Sequence, residues 1–172
     1  ISGGLPGSTC VAALIQDGKL YCGHAGDSRL YLIRDGAVLA RTSDHSLVYK
    51  WVELGKITDE EARVHPKRNQ ITNCLGGGVN MFHSELGKPV VMQFGDILLL
   101  GSDGLWGPFT DAELVEAFSM GPVDVVLEGL IVSALQREAG KSDNVTGLAL
   151  RWAEDELAHD TTESVYHVLE IT

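Results

Sequence analysis

The sequence predicts an α+β fold built on antiparallel sheets, and three observations carry that expectation. Asp17-Gly18 and Asp35-Gly36 each separate two strand-like runs. That spacing closes tight hairpins, because both central residues of such a turn need positive φ. The runs are apolar on both faces: Tyr31 and Ile33 alternate with Leu30 and Leu32, and Val11, Ala13 and Ile15 with Ala12 and Leu14. A sheet patterned this way must be covered twice, and another sheet on one side with helices on the other is an economical solution. Finally, Val123 to Ala139 places Val126, Leu127, Leu130, Ile131, Ala134 and Leu135 at the spacing of a helix packed on a core.

Taken in order, Ser8–Gln16 and Lys19–Ala25 form the first hairpin. Its register sets Cys10 opposite Ala25 and Cys22 opposite Ala13, so these two cysteines are not partners. Gly26-Asp27-Ser28-Arg29 then holds a carboxylate in a glycine turn, and Ser28–Arg34 with Ala37–Arg41 repeats the hairpin. From Ser43 the character changes. Ser46–Leu54 and Thr58–Val64 read as short helices, the first broken by Gly55 and the second opened by the capping box Thr58-Asp59-Glu60-Glu61 and stopped by Pro66. Their polar faces mark an exposed flap over about 43–75. Gln70–Leu75 leads into Gly76-Gly77-Gly78, a flexible bend.

Val90–Phe94 and Ile97–Leu100 are expected to pair around Gly95-Asp96. Ile97–Leu100 is a short continuous apolar run, the mark of a strand buried on both faces. It ends at Gly101, and Ser102-Asp103-Gly104 follows as a tight turn clamped by Leu105 and Trp106. Thr110-Asp111-Ala112-Glu113 opens a helix to about Phe118, and Gly140 ends the long helix that begins at Val123. Lys141-Ser142-Asp143-Asn144 is a third Asp turn, ahead of the strand Val145–Trp152. Ala153–Thr172 is acidic and then weakly alternating, a solvated link plus an edge strand.

Composition narrows the function. Among 172 residues, 24 acidic against 13 basic give a net charge of −11, so phosphate backbones and anionic membranes are poor partners. No apolar run has the length of a membrane span, and no basic-then-apolar signal opens the chain. Three widely spaced cysteines are no disulfide framework and fit a reducing, cytoplasmic setting. Ile1-Ser2-Gly3-Gly4-Leu5-Pro6-Gly7 reads as a loop between elements, so the chain is expected to be an excerpt.

Asp27, Asp103 and Asp143 each end or begin a buried strand. Should they converge they would repel one another, and a divalent ion removes the conflict. Oxygen ligands without a His or Cys cluster favour magnesium or manganese over zinc. Two such ions position a water and stabilise the leaving oxygen of a phosphate ester, whose loose transition state needs little else. Competing chemistries fail. Gln16, Ser28 and Asn80 stand where a cysteine-dependent phosphatase needs Arg six residues after its Cys, and Leu135 replaces the first Gly of a phosphate loop ending at Gly140-Lys141-Ser142. His45, His65, Arg29 and Arg68 are candidates for touching substrate.

The ordered set Gly7-Ser8-Thr9, Gly26-Asp27-Ser28-Arg29, Asp44-His45-Ser46, Leu75-Gly76-Gly77, Ser102-Asp103-Gly104-Leu105-Trp106 and Ser142-Asp143-Asn144-Val145-Thr146 resembles the metal-dependent protein serine/threonine phosphatases of the 2C family. Leu54-Gly55-Lys56-Ile57-Thr58 through His65-Pro66-Lys67-Arg68-Asn69 is similar to the flap of its bacterial members. The resemblance implies a four-layer α-β-β-α sandwich, with 1–152 as the C-terminal part of the domain and 153–172 as an acidic tail or edge strand. It implies hydrolysis of phosphoserine and phosphothreonine in proteins at a binuclear Mn2+ or Mg2+ site without a phosphoenzyme, and opposition to a Ser/Thr kinase. Asp103 and Asp143 would be the catalytic ligands, and Asp27 would join Asp103 at a third, weaker ion. Ser102, Gly104 and Asn144 would support them, with His45, His65 and Arg68 on the substrate flap. One motif is missing: the family's Asp-Gly-x-Gly-Gly, whose Asp bridges the two ions, matches none of Asp17-Gly18, Asp35-Gly36 or Asp103-Gly104. Its phosphate-binding Arg belongs to the same missing section, and Asn73 stands where bacterial relatives commonly have Arg. The competing expectations are therefore a pseudophosphatase that binds phosphoproteins or a kinase without turnover, and a hydrolase of small phosphate esters.

Overall fold

The computed structural model describes residues 6–76, 85–138, 144–153 and 167–171. In chain order they form β1 (Gly7–Ser8), β2 (Cys10–Gln16), β3 (Lys19–Ala25), β4 (Arg29–Arg34), β5 (Ala37–Arg41), α1 (Leu47–Glu53), α2 (Asp59–Val64), β6 (Leu75–Gly76), β7 (Glu85–Leu86), β8 (Val90–Val91), β9 (Ile97–Gly101), α3 (Asp103–Trp106), α4 (Asp111–Ser119), α5 (Val123–Arg137), β10 (Val145–Arg151) and β11 (His167–Ile171). Both hairpins close as their Asp-Gly pairs require, with φ of 50° at Asp17 and Asp35, 67° at Gly18 and 73° at Gly36. Cys10 faces Ala25 and Cys22 faces Ala13 across the first of them.

A five-stranded antiparallel sheet runs β11-β10-β9-β4-β5, and a second sheet joins β2 to β3, with β7 and β8 on the other edge of β3. Strand alternation sends the two faces of the five-stranded sheet to different cores. Leu30, Leu32 and Leu98 meet Leu20 and Met92 between the sheets. Tyr31, Ile33, Ile97 and Leu99 face Leu105, Phe109, Leu114, Phe118, Leu127 and Ile131 from α3, α4, α5 and the loop between α3 and α4. Among the described residues helices cover the outer face of the five-stranded sheet, while Ala12, Leu14 and Tyr21 of the other sheet are exposed. The fold is thus α+β with two stacked antiparallel sheets, and the second helical layer of the expected sandwich is not among the described residues.

Three local expectations need correction. Val90–Phe94 and Ile97–Leu100 do not pair with each other: β8 joins β3, and β9 lies between β4 and β10 in the opposite sheet. Gly95, at φ 88°, carries the chain across. The Gly95 and Trp152 N–H groups donate to Trp152 O at 2.8 Å and Asp96 O at 2.7 Å. Buried Asp96 pins this crossing, accepting from Arg34 Nε and Nη2 at 2.7 Å each and from Gln93 N–H at 2.8 Å. Next, Ser102-Asp103-Gly104 is not a free-standing turn but the start of α3, with Ser102 at its N-cap. The strand glycines make this possible, since a Cβ on Gly101 or Gly147 would stand 2.8 or 2.6 Å from Leu105 Cδ2. Finally, Leu135 is 40% exposed and not in the core, and α5 ends at Arg137 with Glu138 as its cap. The predicted Gly140 cap and most of the Gly76-Gly77-Gly78 bend lie outside the described residues.

Candidate active site

Asp27 and Asp103 share the rim of one cleft of about 580 Å3, whose other wall is α2 of the flap. Asp27 sits between Gly26, at φ 107°, and the start of β4. Only glycine fits before it, because a Cβ there would stand 2.4 Å from Thr9 Cγ2. Thr9 Oγ1 in turn bonds Ser28 Oγ at 2.8 Å. Trp106, from the first turn after Asp103, donates its Nε1–H to Asp27 O at 3.1 Å. Asp103 itself opens α3, where its Oδ1 accepts the Gly104 N–H at 3.0 Å.

Burial pushes the Asp27 carboxyl up to about 7, helped by the negative charges of Asp103 and Asp44 and only partly opposed by Arg29. A carboxyl raised by burial and by a second carboxylate in the same cleft is the electrostatic setting a divalent cation relieves. Their donor set is all oxygen, which fits a hard ion. Among the described residues no group of three His, Cys, Asp or Glu could hold an ion, so this pair needs a further ligand.

Asp143 lies outside the described residues, and its neighbour Asn144 shows where that strand begins. Ser102 Oγ donates to Asn144 O at 3.1 Å and accepts Thr146 N–H at 3.0 Å. Gly104 packs so closely on Asn144 that a Cβ there would stand 2.5 Å from the Asn144 carbonyl oxygen. Ser102, Gly104 and Asn144 therefore join the start of β10 to the turn that carries Asp103.

The remaining candidates divide. Arg68 lines the cleft and is exposed. His65 is not among the lining residues: its Nδ1 accepts Lys67 N–H at 3.0 Å and its ring meets Trp51 edge-on at 5.3 Å. His45 is not among them either, and its Nδ1 faces the Gly26 backbone. Arg29 does not offer its charge to a substrate. Its Nε and Nη2 donate to both Asp44 oxygens at 2.7 and 2.8 Å, Nη1 donates to Tyr31 OH at 2.9 Å, and the guanidinium lies 3.4 Å over the Trp106 ring.

Sequence reasoning missed Asp44 as a charge acting on Asp27, and Trp106 as the residue fixing its carbonyl. It also missed the ionic seam of the flap. There Arg63 Nη1 donates to Phe109 O at 2.6 Å, Arg63 Nη2 stands 3.6 Å from Asp111, and Arg41 bonds the same Asp111 at 2.9 Å. No local pattern announces pairs so far apart in the chain.

The family model described as protein phosphatase 2C matches residues 4–76. The serine/threonine protein phosphatase PstP of Mycobacterium tuberculosis is 38% identical over 143 residues, covering 81% of this chain and 26% of that protein. Protein phosphatase PhpP of Streptococcus pneumoniae is 36% identical over 141 residues, covering 81% of this chain and 56% of that one. The S. agalactiae serine/threonine phosphatase structure superposes with a TM-score of 0.76 at 36% identity, covering 86% of this chain and 60% of its own. This chain is similar to protein phosphatases of the 2C family.

A further neighbour, the catalytic domain of the serine/threonine protein phosphatase PstP in complex with two manganese ions, superposes with a TM-score of 0.68 at 34% identity. The chain spans 26% and 56% of the two curated phosphatases and 60% of the S. agalactiae chain. Among the described residues no helix is long and apolar enough to cross a membrane.

Proposed function

We propose that this chain is the C-terminal part, about residues 1–152, of a metal-dependent protein serine/threonine phosphatase that removes phosphate from phosphoserine and phosphothreonine in proteins. The observation that carries the reading is the shared cleft of Asp27 and Asp103, where burial and the Asp103 charge hold the Asp27 carboxyl well above its usual range. Asp103 and Asp143 would hold the catalytic ions, and Asp27 with Asp103 a third, as Mn2+ or Mg2+. Bound there, such ions would lower the pKa of a water and neutralise charge building on the phosphate oxygens.

The chain's own residues do the positioning. Gly26 and Thr9 set the Asp27 turn, Trp106 holds its carbonyl, and Ser102 and Gly104 lock the Asp103 turn to Asn144. Asp44 occupies two donor edges of Arg29 at the cleft wall, so that guanidinium is committed inside the protein. A phosphorylated segment entering the cleft passes Arg68 and Asn69 on the flap side.

The test is hydrolysis of a phosphothreonine peptide by a form of the protein as long as its relatives, with Mn2+ added and then removed by EDTA. Metal-dependent turnover abolished by Asp103→Asn is the expected result, and turnover that survives that change would overturn the reading. Binding of the phosphopeptide without turnover would favour the second reading, a pseudophosphatase. The observation on its side is that none of Asp17-Gly18, Asp35-Gly36 and Asp103-Gly104 continues as the Asp-Gly-x-Gly-Gly motif expected to bridge the ions.

A further inference from the structure

The turn that carries Asp27 is held by an imidazole that does not line the cleft. Gly26 and His45 exchange two hydrogen bonds: His45 N–H donates to Gly26 O at 2.9 Å, and Gly26 N–H donates to His45 Nδ1 at 3.2 Å. An amide N–H can only donate, so Nδ1 carries no proton and the ring proton belongs to Nε2. Asn73 Nδ2 stands 2.8 Å from the same Nδ1 and donates to it. On its open face the ring stacks on His24, centroid to centroid 4.5 Å and 28° from parallel. His24 is fixed in its turn, since its Nε2 lies 2.7 Å from Ser43 O and must donate to that carbonyl. His45 O also accepts Thr72 N–H at 2.7 Å. The ring is therefore positioned by two side chains and its own backbone, and it delivers that order to one amide.

That amide precedes Asp27. Trp106 holds the carbonyl on the other side of the same residue, at 3.1 Å. We infer that His45 is a positioning residue: through Nδ1 it fixes the Gly26 peptide, and with Trp106 it sets the direction in which the Asp27 carboxylate meets a cation. Asn73 and His24 hold the ring in the one orientation and tautomer that can do this. The inference rests on Asp27 being a cation ligand, as proposed above. It explains why a histidine beside the flap takes part in the site without touching it, because an outer partner that orients a ligand changes affinity without a contact of its own.

The decisive comparison is His45→Asn against His45→Leu. The Asn side chain offers an Oδ1 close to where Nδ1 stood and accepts the same Gly26 N–H, whereas Leu offers nothing. Mn2+ binding to the 172-residue chain is followed by electron paramagnetic resonance from micromolar to millimolar metal, and Gly26 amide exchange by NMR. His45→Leu should weaken Mn2+ binding roughly tenfold or more and speed exchange at Gly26, while His45→Asn stays within about threefold of wild type on both readouts. Asn73→Ala should give an intermediate loss with the ring still present. Equal Mn2+ affinity and unchanged Gly26 exchange in a folded His45→Leu chain would overturn the proposal. If the Leu variant does not fold, a folded His45→Asn chain as weak as Asp27→Asn overturns it, and retained affinity there supports it. A wild-type affinity indifferent to Asp27→Asn would refute the cation reading instead, leaving the Gly26 amide to decide the His45 clamp.

Discussion

Asp27→Asn should make the metal-free protein more stable, and the gain should grow with pH. Burial, then the charges of Asp103 and Asp44, lift the folded-state carboxyl to about 7, against about 4 in an unfolded chain. Between those values the folded state keeps a proton that the unfolded state has lost, so stability falls as pH rises through the window. Above it both states are ionised and the fold bears the whole cost. The ceiling of that cost is roughly 4 kcal/mol, and solvent entering the open cleft cuts it to about 1–3 kcal/mol. Asparagine has the same shape without the charge. Urea unfolding in EDTA should therefore show the variant about 1–3 kcal/mol more stable at pH 8 and nearly equal to wild type at pH 4. Adding Mn2+ should reverse the order, because a cation that binds only the folded wild type stabilises it. A variant no more stable than wild type at pH 8 in EDTA would show that Asp27 bears no electrostatic strain, and the argument for a cation there would lose its footing.

Arg34→Met should cost about 3–5 kcal/mol, since it leaves the Asp96 carboxylate buried without its partner; a loss under 1 kcal/mol in urea titration would refute this. Burial alone would raise Asp96, but the Arg34 hydrogen bond, the Gln93 N–H and the Arg34 charge outweigh it and hold the carboxyl below its usual value. Its contribution is thus present above about pH 4 and fades as pH drops further, so Asp96→Asn should flatten the acid limb of the stability profile. Gly26→Ala must force a side chain into positive φ and against Thr9, and should lower stability by at least about 1–3 kcal/mol as read by thermal unfolding. Asp111→Ala frees both Arg41 and Arg63 from their shared partner. It should speed amide exchange in α2 by hydrogen–deuterium mass spectrometry while leaving β9 protected, and high salt should mimic it in wild type.

Hairpins, capping boxes and the long helix were legible because their causes are local. Positive φ at Asp17-Gly18 and Asp35-Gly36, and Thr58 bonding Glu61 three residues on, are decided by neighbours in the chain. The doubled apolar pattern of Tyr31, Leu32 and Ile33 likewise foretold two cores, because strand alternation leaves no other use for it. Of the three Asp turns that residue type and spacing singled out, Asp27 and Asp103 line one cleft, and Asp143 falls outside the described residues.

What chain order alone could not show is which distant groups share space. Val90–Val91 and Ile97–Gly101 look like one hairpin, yet they serve opposite sheets, because the charge of Arg34 draws Asp96 into the crossing. Arg29 looked like a phosphate binder until Asp44, fifteen residues on, took both of its donor edges. His45 and Arg63 found their tasks the same way, one against Gly26 and the other against Phe109 and Asp111. Local backbone preference was enough to write most of the elements and to single out the turns of Asp27 and Asp103. Desolvation and long-range charge pairing, which exist only once the chain has closed on itself, decided which cations stay committed inside the protein and lifted the Asp27 carboxyl out of its usual range.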